Sequence, residues 1–245
     1  MRVFCLAPNE NWIVDRFCDE FERANPDIVT RYPMQADVIW LVADWCADQL
    51  PDVILSKKKV VASVHHIVPE KFEKQKPLYT RLTKFVDTWH VPCQSTADFI
   101  RSNIDSDKPI VVQPFWANQK IWYEKRSESL AMKASFAIAQ DRFVVSSFQR
   151  DTEGHDLVSP KLEKGPDLFC DAVESLQKQR GDVQVLLGGW RRQYIINRLS
   201  QTIGTDRIRY VELPDQPTVR DMYAATDLYI VAARCEGGPQ AIVEC

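Results

Sequence analysis

Two carboxylates eight residues apart, Glu236 and Glu244 in the stretch EGGPQAIVE, bracket two glycines and a proline in this chain of 245 residues. Gly237 and Gly238 put no side chain over the first backbone N–H groups that follow. Pro239 suits the opening position of a helix, where its missing N–H would have had no partner anyway. A helix start uncovered in this way offers N–H donors and a partial positive charge to an anion. A carboxylate can accept two hydrogen bonds from a diol. Together these residue types point to a ligand that is phosphorylated and rich in hydroxyls.

Such a turn needs a strand to deliver it, and residues 228–233 (LYIVAA) supply the apolar run. The rest of the chain alternates in the same way. Strands are expected at residues 2–7, 36–42, 60–64, 86–91 and 109–112, then at 142–147, 183–187 and 208–213. Helices are expected over 12–24, 71–84 and 96–102 (capped by Ser95), and over 167–178, 194–199 and 219–224. Continuous apolar strands separated by helices predict right-handed parallel α/β sheets. We divide the chain into a first domain at 1–118, a connecting segment at 119–141 and a second domain at 142–245. The fold class is α/β, two Rossmann-like domains facing a cleft, with ligands bound beyond the C-terminal ends of the strands. All eight glycines lie at or after Gly154, so the first 153 residues cannot contain a glycine-rich phosphate loop.

Composition removes several classes of function. A formal net charge of −3 gives no footprint for nucleic acid. Seven scattered cysteines, odd in number and without a C-x-x-C pair, fit reduced thiols and a cytoplasmic location better than a disulfide framework. No His, Cys or carboxylate cluster has metal-ligand spacing. Asp105-Ser106-Asp107 reads as a turn, and His90 and His155 read as structural. The run Lys57-Lys58-Lys59 and the basic, partly apolar helix at 71–84 raise peripheral contact with a membrane as a low-ranking expectation beside a plain solvated helix.

EGGPQAIVE resembles the E-x7-E motif of retaining glycosyltransferases of the GT-B fold, in particular the large family 4 group. Upstream, FVVSSFQRDTEG followed by LEKGPDLFCDAV resembles the opening of that family's second domain: a strand, a basic residue, then Lys-Gly before a helix. The likeness runs from residue 142 to 245, while the first half resembles the family only loosely, as expected for the acceptor side.

The resemblance implies a nucleoside-diphosphate sugar as donor (UDP-, GDP- or ADP-sugar), no further cofactor, no metal, and a saccharide or lipid-linked acceptor. It implies that Arg150, Lys164 and the N–H groups around Gly237 and Gly238 hold the donor diphosphate. Glu236 then grips the donor sugar, and Glu244 the ribose. Thirteen residues separate Arg150 from Lys164, a longer loop than the pattern expects, so Lys161 is an alternative phosphate ligand. The family's histidine facing the donor sugar corresponds to His65 or His66, with His66 preferred as the residue nearer the cleft. Relatives continue beyond the point matching Cys245, so a missing segment or a partner is expected to complete the second domain. Two alternatives stay open, a non-catalytic or partner-completed nucleotide-sugar-binding protein and a nucleotide-sugar epimerase or hydrolase on the same fold.

Overall fold

The computed structural model describes the chain except for Asn11, Ser106 and His155. His155 and the centre of the Asp105-Ser106-Asp107 turn therefore lie outside the described residues. The chain divides into two compact units, Met1–Trp116 with Glu236–Gly238, and Ala117–Cys235 with Pro239–Cys245.

In the first unit, strands β1 (Val3–Leu6), β2 (Val38–Leu41), β3 (Lys59–Ser63), β4 (Thr88–Val91) and β5 (Ile110–Val112) lie side by side in chain order, all parallel. Helices α1 (Ile13–Ala24), α2 (Asp52–Leu55), α3 (Phe72–Leu82) and α4 (Gln94–Asn103) run between them. Alternate residues of β2 point to opposite faces, as the two-residue period of a strand requires. Ile39 and Leu41 join a core with Tyr79, Leu82 and Trp89, whereas Val38 and Trp40 pack against Val14, Phe17 and Phe115. The pattern of the sequence puts Ser95 at the cap of α4, but Cys93 holds that position. Its Sγ lies 3.1 Å from the Ser95 hydroxyl, so the helix begins two residues earlier than expected.

Burial gives one residue of this unit a legible pH dependence. Asp44, in the 3₁₀ turn after β2, is 5% exposed and hydrogen-bonded by the Tyr79 hydroxyl. Desolvation pushes its carboxyl up to about 6 from an ordinary value of 3.8. The folded state therefore binds the extra proton between these values, and stability falls as pH rises through that window. Asp44→Asn removes the charge while keeping an acceptor for Tyr79. It should raise stability at pH 7.5 by about 1–2 kcal/mol, and the gain should vanish near pH 4 in paired thermal melts.

The second unit contains helix α5 (Ser129–Ser135), strand β6 (Phe143–Ser147), α6 (Pro166–Arg180), β7 (Val183–Gly188), α7 (Gln193–Thr202), β8 (Ile208–Val211), α8 (Gln216–Ala224), β9 (Leu228–Tyr229) and α9 (Gln240–Glu244). Its four parallel strands are ordered β8-β7-β6-β9. Every residue of β7 is buried, consistent with a strand covered on both faces. Val183, Val185 and Leu187 meet α6 and α7 on one face, while Leu186 meets Ile138 and Met222 on the other. Residues of the 119–141 segment pack within this unit: Met132, Phe136 and Ile138 join the second core, and Lys133 pairs with Asp227 at 2.7 Å.

Strand order reverses at β6. The chain steps outward from β6 to β7 and β8, then returns to place β9 on the other side of β6. That reversal is a topological switch point, where the loops leaving neighbouring strands part and open a crevice at the strands' C-terminal ends. In the first unit, strand order does not reverse among the described residues.

Candidate functional site

Both loops of the switch point carry residues singled out from sequence. The loop after β6 begins with Phe148-Gln149-Arg150 and turns inward at Asp151, which is 1% exposed. The length between Arg150 and Lys164 is absorbed by a hairpin-like excursion. Thr152 and Pro160 form an antiparallel bridge, and the Glu153 N–H donates to the Ser159 carbonyl at 2.8 Å. The Lys161 N–H then donates to the Asp151 carbonyl at 2.8 Å. The chain thus returns to its point of departure, and Lys161 re-enters beside Arg150.

Three cations gather there. Burial depresses the Lys161 ammonium below the ordinary lysine range, and the charges of Arg150 and Lys164 push in the same direction, against the opposing pull of Glu163. Lys161 Nζ is 3.4 Å from Glu163 Oε1. Glu163 offsets part of this positive charge, and the remainder favours an anionic ligand at the C-terminal end of the strand. Lys161, the alternative to Lys164 on sequence grounds, is a third member of one cluster.

Gly165 explains why Lys-Gly stands before α6. It caps the 3₁₀ turn Leu162–Lys164 with φ of 63°, and a Cβ there would lie 1.9 Å from the Ala232 carbonyl oxygen. The strand expected over 228–233 pairs with β6 only at Leu228 and Tyr229, with one further bond from the Ile230 N–H to the Ser146 carbonyl. Beyond that the backbone leaves the sheet for the turn before α6. The N–H groups of Arg234 and Cys235 reach the Glu163 carbonyl at 2.9 and 3.3 Å. The Arg234 guanidinium grips Asp167 through two hydrogen bonds of 2.8 and 2.6 Å. The segment leading to Glu236 is therefore pinned to the turn that carries Lys164.

The glycines after Glu236 also meet a packing need. Gly237 is buried, and a Cβ on it would stand 1.5 Å from the His65 carbonyl oxygen, so the backbones touch there and only glycine fits. Gly238 adopts φ of 108°. Pro239 is the N-cap rather than the first helical residue, and α9 is five residues long. On α9, Ile242 and Val243 are 63% and 52% exposed, whereas Glu244 is half-buried and its charge contributes to raising the buried Tyr223 phenol, after burial itself.

The two histidines after β3 separate cleanly. His65 is stacked on Phe115 with centroids 4.9 Å apart, and its Nε2 donates to the Val42 carbonyl at 2.8 Å. Burial pushes its imidazole down to about 4, so it is neutral and structural. The His66 Cβ is 3.2 Å from where a Gly237 side chain would begin. His90 closes a chain in which the Trp40 indole donates to Ser63, Ser63 meets Nδ1, and Nε2 donates to the Gln113 carbonyl, each at 2.8 Å. Asp105 accepts from the Trp89 indole and from the Asp107 N–H at 3.2 Å each, the hydrogen bonds of a structural turn.

One element escapes a reading of the sequence. Arg192, which follows the Gly-Gly-Trp-Arg run leaving β7, is wholly buried, with its Nε 3.7 Å from Asp151 Oδ2 and its Nη1 donating to the Gly188 carbonyl. Asp151 also accepts from the Ile195 N–H at the start of α7, and its own N–H donates to the Arg191 carbonyl. Two consecutive arginines just after a buried, mostly apolar strand are the available signal.

No family model matches the sequence, and no curated protein matches it either. Solved structures do. HepE from Anabaena, in complex with UDP and glucose, superposes with a TM-score of 0.68 at 14% identity, over 93% of this chain and 72% of that one. Sucrose-phosphate synthase from Thermosynechococcus elongatus gives 0.66 at 17% identity, over 97% of this chain and 60% of that one. The pneumococcal O-GlcNAc transferase GtfA, with UDP and GlcNAc, gives 0.59 at 15% identity, and the chain spans 39% of its length. The fold of this chain is that of GT-B glycosyltransferases.

Proposed function

We propose that the chain belongs to an enzyme that moves a sugar from a nucleoside-diphosphate sugar to an acceptor, with retention of anomeric configuration and no metal at the reacting centre. The observation that carries this reading is the loop at the switch point of the second sheet, where the Lys161 N–H bonds the Asp151 carbonyl and the Lys164 N–H bonds the Lys161 carbonyl, so that Arg150, Lys161 and Lys164 lie on one returning turn. Departure of a nucleoside diphosphate builds charge on its oxygens, and fixed cations in a partly desolvated crevice stabilise that charge without a metal ion. UDP bound to HepE and to GtfA supports the same ligand class here.

Within this reading Glu236 holds hydroxyls of the donor sugar, Glu244 the ribose diol, and the backbone at Gly237 and Gly238 approaches the phosphates. His66 orients a hydroxyl or steadies charge at the reacting carbon. None of these side chains is placed as a covalent nucleophile, so catalysis rests on positioning and on the leaving group. The acceptor is a saccharide or a lipid-linked acceptor.

Calorimetric titration of UDP-, GDP- and ADP-sugars, paired with product analysis against both acceptor classes, tests the reading. Saturable binding of one donor, abolished in Glu236→Ala/Lys164→Ala, and a product of unchanged anomeric configuration by NMR are expected. Binding that survives the double substitution overturns the site. Binding without transfer identifies a non-catalytic binder, and release of free or epimerised sugar identifies a hydrolase or epimerase.

A further inference from the structure

We propose that Cys5, Cys18 and Glu22 form a site for a thiophilic divalent cation such as zinc, apart from the switch-point site. Cys5 lies on β1, while Cys18 and Glu22 are one turn apart on α1, the i,i+4 spacing that puts two side chains on one helix face. The two Sγ atoms and a Glu22 carboxylate oxygen all lie within 4.8 Å of one another, and Cys18 Sγ is 3.8 Å from Glu22 Oε1. Tetrahedral zinc, with bonds of about 2.3 Å to sulfur and about 2.1 Å to oxygen, holds neighbouring ligand atoms roughly 3.5–3.8 Å apart. The Cys18–Glu22 edge already has that length.

Burial is compatible with the geometry. The thiols are 6% and 8% exposed and Glu22 is half-buried, so the cluster reaches solvent at the carboxylate. The Cys5 thiol is hydrogen-bonded with Cys18. A divalent cation bound here would displace the thiol protons and offset the charge of two thiolates and a carboxylate. Core packing alone accounts for two buried cysteines, which often behave as small apolar residues. The carboxylate, one helical turn from Cys18 and accepting from its thiol, adds a third ligand atom to the pair.

Reduced, chelator-treated, tag-free protein is titrated with zinc against a chromophoric chelator, and with cadmium followed by the thiolate-to-metal charge-transfer band. One ion per chain is expected, with Kd at or below about 1 μM at pH 7.5, tightening as pH rises because thiol protons are released. The cadmium band should disappear in Cys18→Ser and persist in Cys245→Ser, whose thiol is exposed. Glu22→Gln, at a half-buried helix position, should weaken zinc about tenfold or more, a readout that survives if Cys18→Ser does not fold. Zinc affinity weaker than about 100 μM in the reduced protein overturns the site. A cadmium band unchanged in a folded Cys18→Ser, or zinc affinity unchanged in Glu22→Gln, does so as well. If air oxidation yields a Cys5–Cys18 disulfide and the reduced form takes no metal, the pair is a redox couple and the cation site is wrong.

Discussion

Replacing Lys161 and Lys164 together by alanine is expected to weaken binding of UDP and its sugar conjugates by about 10²–10⁴-fold, at about 1.5–3 kcal/mol for each charge-assisted hydrogen bond removed. Affinity for uridine, which lacks the diphosphate, should change by less than about threefold. The contrast between the two ligands separates a phosphate-binding role from a general disturbance of the unit. The cluster also fixes a pH signature. Lys161 is depressed by burial, then by Arg150 and more weakly by Lys164, so the cluster loses a charge at lower pH than an ordinary lysine would allow. UDP affinity should therefore fall on the alkaline side earlier than in Lys161→Arg, whose guanidinium keeps its proton. Wild-type affinity that is flat in pH and salt, or equal losses for uridine and UDP in the double variant, would remove the cluster from the site.

Much of this architecture is legible in the sequence because parallel strands buried on both faces write themselves as apolar runs, and helix periodicity fills the intervals. Residues 142–147 and 183–187 read as strands because buried apolar positions dominate them, Ser146, Ser147 and Gln184 being buried polar exceptions. The Lys-Gly step before α6 is also readable, since a left-handed residue pressed against a neighbouring carbonyl admits glycine alone.

The misreadings share a physical cause, namely interactions between residues far apart in the chain. The strand at 228–233 stops at Tyr229, and the chain beyond it is drawn to the turn before α6: the Glu163 carbonyl takes the N–H groups of Arg234 and Cys235, and the Asp167 carboxylate takes the Arg234 guanidinium, about seventy residues earlier. Gly237 is required by the close approach of the His65 backbone, a need that no local pattern shows. Hydrophobic pattern carries no trace of either interaction. The apparent excess of loop between Arg150 and Lys164 has the same origin. An antiparallel bridge returns the chain to its start, and counting residues cannot show where a loop ends in space. Cys5 escapes for this reason too, because only the packing of β1 on α1 brings it to Cys18 and Glu22.

The pair behind the loop makes the second large effect. Asp151 and Arg192 are both buried, and Asp151 joins three pieces of the site through separate atoms. Its carboxylate serves Arg192 and the start of α7, its N–H reaches the Arg191 carbonyl, and its carbonyl receives Lys161. Burial outweighs the attraction of Arg192 and lifts the carboxyl to about 6. Arg192→Met strips the cation from a carboxylate that has no water to turn to, and should destabilise the protein by about 3–5 kcal/mol at pH 7.5. The loss should shrink as pH falls from 7.5 toward about 6, since without Arg192 the carboxyl takes up its proton at a higher pH than in the wild type, and it should level off below that. Asp151→Asn added to Arg192→Met removes the orphaned charge while keeping an acceptor for the Ile195 N–H, and should restore most of the lost stability at pH 7.5. Denaturant midpoints for the two single variants and the double at pH 7.5 and 5.5 measure all three effects. A cost for Arg192→Met below about 1 kcal/mol, or one indifferent to pH, would mean that Asp151 is already protonated in the folded protein and that the loop owes its position to backbone bonds alone.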